Sequence, residues 1–144
     1  AEIRSRCEIL LENYCKTLHI EALTMLDMVN KYALPDALAY EAELAQILQT
    51  KKAVLPDLGC TAESKLLAHL SQLSDLTAER VTKLEEALGE VETTDMQQQA
   101  TNYREKVFSA MEELRAGVDE MELLVGKKHW SLPSYGDLLY SVKD

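Results

Sequence analysis

The segment LENYCKTLHIEALTMLDMVNKY, Leu11–Tyr32, decides the fold. Within it Leu11, Cys15, Leu18, Ala22, Met25, Val29 and Tyr32 recur in alternating steps of four and three. That is the spacing of a helical seam facing partner helices. The seam predicts a bundle and names no reaction. Upstream, helix-compatible sequence extends nearly to the N-terminus. Downstream, the pattern resumes one residue out of phase as Ala33, Ala37, Tyr40, Leu44 and Ile47. The shift falls beside Pro35, whose missing N–H and effect on the preceding residue predict a kink or a short break. The first helix is therefore expected over about 2–50, ending at the dipole-compensating cations Lys51 and Lys52. A loop with Pro56 and Gly59 follows.

A second helix is expected over 61–90, with Thr61 as N-cap or, less well placed, Ser64. Its seam runs through Leu66, Leu70, Leu73, Leu84, Ala87 and Val91. Thr77 and Arg80 interrupt it, which predicts a wetter stretch of core with Leu76 and Val81 taking over the burial. The third helix, 94–126, has the most regular pattern: Met96, Ala100, Tyr103, Val107, Ala110, Leu114, Gly117, Met121 and Leu124. Thr93 or Thr94 is the expected cap, with Asp95 complementing the dipole and Gly126 ending the helix. Ser134 begins a short last helix, 134–141. Trp130, Tyr135 and Tyr140 in that tail are costly to leave in water, so the tail is expected to dock.

The expectation is an all-α fold, a single domain over 1–144. It is an antiparallel up-down bundle of three long helices, four if the first breaks at Pro35, plus the short C-terminal one. No strand is expected, since five glycines and three prolines leave helix propensity unopposed.

A net charge of −10 opposes nucleic acid and anionic membrane surfaces as partners. No apolar run is long enough to span a bilayer and no signal peptide begins the chain, which places it in the cytoplasm. The absence of an initial Met at Ala1 suggests a piece of a longer protein. Cys7 and Cys15 lie roughly 12 Å apart along one helix, beyond disulfide reach, and Cys60 stands alone. Reduced thiols are expected.

Catalytic, cofactor-binding and metal-binding residues are all read as none. His19, His69 and His129 are scattered and lack the Glu-x-x-His pairing of metal-binding bundles, so structural histidine is the reading for each. Neighbouring acids such as Glu85 with Glu86, Glu112 with Glu113 and Asp119 with Glu120 point about 100° apart on a helix and do not converge. The methionines read as core filling, with Met28 and Met111 off the seams and free to face another subunit. Gly117 reads as a packing position rather than a pocket.

Two stretches carry a resemblance. SRCEILLENYCKTLHIEALTM, Ser5–Met25, leads to Leu34-Pro35 and Tyr40, and WSLPSYGDLLY spans Trp130–Tyr140. Together they resemble the C-terminal helical region of type III glutamine synthetases. That family tends to show Trp-Pro-x-Pro-x-Tyr where this chain has Ser131, and Pro-Ala where it has Pro35-Asp36. The resemblance implies a parent ligase joining ammonia to glutamate with ATP and divalent magnesium or manganese, the catalytic machinery lying outside this chain. It further implies a non-catalytic assembly domain partnered by the catalytic domain of the same polypeptide and by neighbouring subunits. Two rival readings come from the residues alone. One is a free-standing cytosolic helical interaction module; the other is a ligand-binding bundle around Gly117, Thr77 and Arg80.

Overall fold

The computed structural model describes residues 2–133. The short helix expected over 134–141 lies outside the described residues. Among those residues the fold is all-α, with no strand. The first rod consists of α1 (Glu2–Met28), a π-helical turn (Val29–Ala33) and α2 (Leu34–Val54). The second is α3 (Thr61–Glu90). The third is α4 (Met96–Asn102), a π-helical turn (Tyr103–Val107) and α5 (Phe108–Leu124).

The first rod does not break at Pro35. The proline sits in the first turn of α2, where a missing N–H is tolerated, and the π-helical turn immediately before it absorbs the phase shift. The buried face reads Cys15, Leu18, Ala22, Leu26, Val29, Ala33, Ala37 and Leu44. The four-residue steps Val29–Ala33–Ala37 contain the extra residue. Two assignments differ: Leu26 rather than Met25 fills the core, and Tyr32 is 47% exposed.

The described residues form two compact units: 2–28 with 79–116, and 29–78 with 117–133. In the first, α1 packs beside α4 and the π-helical turn after it. Arg80 donates to the Glu113 carbonyl at 2.8 Å, and Lys83 pairs with the Glu113 carboxylate at 3.8 Å. Val81, Leu84, Ala87, Val91, Ala100, Tyr103, Val107, Ala110 and Leu114 are buried. Met111 is buried too, at 3% exposure. It lies beside buried Ala110 and Leu114 on a buried stripe wider than the four-three seam, so its side chain is not free to face another subunit.

The core of the second unit joins Ala33, Ala37, Leu70, Leu73, Met121 and Val125, with Leu34, Tyr40, Val118, Leu124, Trp130 and Leu132 packed around it. Ser74 donates to Glu41 at 2.8 Å and Lys51 pairs with Glu63 at 2.6 Å. These pairings run α2 and α3 in opposite directions, as short connections require. Thr77 is fully buried with its hydroxyl unpartnered among the described residues, and Leu76 is 40% exposed. The expected wet stretch is thus sealed at Thr77, and of the two substitutes only Val81 is buried.

The caps also differ from expectation. Asp95 itself caps α4, its Oδ1 accepting from the Gln97 N–H at 3.0 Å, while the Thr93 hydroxyl accepts from the Asp95 N–H. At the start of α3, Thr61 is already helical. Cys60 precedes it in a left-handed conformation, φ 46°, and its carbonyl accepts from the Ser64 N–H. A non-glycine residue there carries a strain of about 1 kcal/mol.

Candidate functional site

Each histidine is engaged by a protein group. In the first unit the Tyr103 hydroxyl lies 3.1 Å from His19 Nδ1, with the two rings edge-on. In the second, His69 Nε2 lies 3.0 Å from Glu120 Oε1. His129 Nε2 lies 2.6 Å from Glu43 Oε2, and its ring packs 5.2 Å from that of Tyr40. Among the described residues no group of three or more His, Cys, Asp or Glu side chains is placed to hold a metal ion.

The neighbouring acids do not converge. Glu112 pairs with Arg115, Glu113 with Lys83 and Glu120 with His69. Beside His19 and Tyr103 lies an open cleft of about 390 Å³ that also contains Cys15, Glu92 and Lys16. Burial raises the Cys15 thiol above its ordinary pKa, which keeps it protonated and poorly nucleophilic. Tyr103 is raised by burial first, then by the nearby Cys15 and Glu92, so its phenol stays neutral and suits a hydrogen bond better than proton transfer. Gly117 is buried within the helix. The Arg80 guanidinium is already occupied by the Glu113 carbonyl.

The most elaborated polar contact lies at the C-terminal end of the described chain. After α5, the Val125 N–H returns to the Met121 carbonyl and the His129 N–H to that of Gly126. This turn lays Trp130 and Leu132 against the second unit's core, on which Leu34 and Tyr40 also pack. Gly126 allows it, because a Cβ there would meet the Tyr40 ring at 3.0 Å. The Ser131 N–H and hydroxyl then both donate to Asp36 Oδ2, at 2.8 and 2.7 Å. Residues 36 and 131 are the two at which the sequence departs from the pattern it resembles, and they meet each other. A proline at 131 has neither donor.

Residues 1–52 match the family described as the glutamine synthetase C-terminal domain. A glutamine synthetase of Butyrivibrio fibrisolvens is 38% identical over 99% of this chain. A type-3 glutamine synthetase of Dictyostelium discoideum is 26% identical over 96%, and a glutamine synthetase of Bacteroides fragilis (strain YCH46) 24% identical over 97%. The chain spans 20% of the length of each. Residues 1–52 are therefore similar to the glutamine synthetase C-terminal domain, and nearly the whole chain is similar to a fifth of a glutamine synthetase polypeptide.

Proposed function

We propose that this chain is a non-catalytic structural and assembly segment of a glutamine synthetase, whose parent makes glutamine from glutamate, ammonia and ATP in the cytoplasm. The observation that carries this reading is similarity over 99% of the chain to only 20% of a glutamine synthetase. The three histidines, each engaged by a side chain of its own unit, are consistent with a scaffold. ATP and the divalent metal, magnesium or manganese, belong in this reading to the remaining four fifths of the parent. The partners are that remainder and neighbouring subunits. No helix among the described residues is long and apolar enough to cross a membrane.

Two measurements test the proposal. The purified chain, supplied with glutamate, ammonia, ATP and magnesium or manganese, should form no glutamine, and ATP-dependent formation would overturn the non-catalytic reading. The parent polypeptide lacking this segment should lose native assembly mass or melt at a lower temperature. Unchanged mass together with unchanged melting would overturn the assembly role.

A further inference from the structure

The first unit has a second seam that its own helices do not use. On α1, Ile3, Cys7, Leu10 and Tyr14 follow steps of four, three and four, one residue behind the buried seam that starts at Leu11. All four are exposed, Ile3 at 80% and Leu10 at 68%. Cys7 and Tyr14 line two adjoining grooves that share Leu11 and Gln97, of about 480 and 460 Å³. The larger includes Arg4, Glu8 and Asp95, the last committed to capping α4. The floor of the smaller is Leu11, Tyr14 and Ala100, and its one charged lining residue is Arg104. Arg104 makes no ion pair or hydrogen bond among the described residues, in a chain with 25 acidic residues to 15 basic.

We propose that this seam and groove seat a helix from the part of the glutamine synthetase polypeptide outside this chain. That helix presents an apolar ridge to Leu10 and Tyr14 and a carboxylate to Arg104. Heptad spacing selects a helix as the occupant, since a/d side chains interlock with those of another helix. The unpaired guanidinium selects its charge, because arginine takes carboxylates in a planar, paired geometry. A second copy of the chain fits less well: a two-fold contact through this face would set Arg104 near its own counterpart. The proposal rests on the reading that the chain is part of a glutamine synthetase.

Cys7 reports on the cover. The test is maleimide labelling of the parent polypeptide, with Cys7 modification followed by peptide mass spectrometry. Labelling should be at least about tenfold slower in the unaltered parent than in its Leu10→Asp and Arg104→Glu variants, as for a site reached only through local opening. Lys106→Glu, an equal charge change off the groove, should keep Cys7 protected, and dilution should not release it. Equal labelling in parent and variants would overturn the proposal while leaving the assembly reading intact. Protection lost on dilution would assign the cover to a neighbouring subunit and overturn the choice of occupant. Protection untouched by Arg104→Glu would overturn the acidic chemistry. A native chain of this length alone would overturn both readings together.

Discussion

Asp36 and Ser131 stand 95 positions apart in the chain and meet through two hydrogen bonds to one carboxylate oxygen. Their contact holds the tail beside Trp130. Asp36→Ala and Ser131→Pro should each lower the melting temperature, and the double variant little more than either. The expected coupling is about 1 kcal/mol, that of hydrogen bonds to a charged acceptor at a partly exposed site. Additive losses would mean the two residues act separately. Lys51 and Glu63 give a pH-dependent counterpart. The hydrogen bond from Lys51, then its charge, holds Glu63 below the usual carboxylate range, and the same contact raises Lys51. A depressed carboxylate stabilises fully above its unfolded pKa of roughly 4.3 and loses that as pH falls through its folded value. A raised lysine stabilises below roughly 10.4 and loses that as pH rises through its folded value. Lys51→Met should therefore shift the urea midpoint by a constant amount between about pH 5 and 10, and the shift should fade in acid. A shift undiminished at pH 3 would contradict the pairing. Neither contact was legible in the sequence, since each joins residues on different helices and depends on their register.

At the scale of elements, the buried seams were largely legible because four-three spacing reflects helix geometry itself. Cys15, Leu18 and Ala22 on α1, and Ala100, Tyr103, Val107 and Leu114 on the third rod, are buried as their spacing requires. The misreadings gather at two π-helical turns. Tyr32 lies within the first of them, and Leu26 and Met111 are buried a few residues away from them. Such a turn adds about one residue to a repeat without any dedicated residue type, so spacing alone marks it faintly. Pro35 sits in the first turn of α2, directly after the π-helical turn. Pro35→Ala should then change stability by less than about 1 kcal/mol, against roughly 3 for an interior proline, with circular dichroism unchanged. A gain near 3 kcal/mol would show that the proline strains the rod. In α5, Leu114→Asp should unfold the chain by placing a charge at a site with 0% exposure. Glu113→Ala should stay within about 0.5 kcal/mol, because its pair with Lys83 is exposed.

At the scale of the molecule, class and direction were legible and chemistry was not. Composition excluded strands, the short connections implied alternating directions, and the Trp130 region pointed to a docked tail. Trp130 and Leu132 pack against the core that joins Ala33, Ala37, Leu70, Leu73, Met121 and Val125. The candidate site was less legible: the free seam at Ile3, Cys7, Leu10 and Tyr14 overlaps the buried one on the same helix, and only three-dimensional packing shows which was taken. The proposed place of this chain within a glutamine synthetase has a direct test. The direct measurement is the mass of the native polypeptide in its source cells, detected on a denaturing gel with an antibody against this chain. Since the chain spans 20% of its relatives, the account predicts a band about five times its own 16.2 kDa. A band at 16.2 kDa would contradict it and turn the search to a free-standing helical module and its partner.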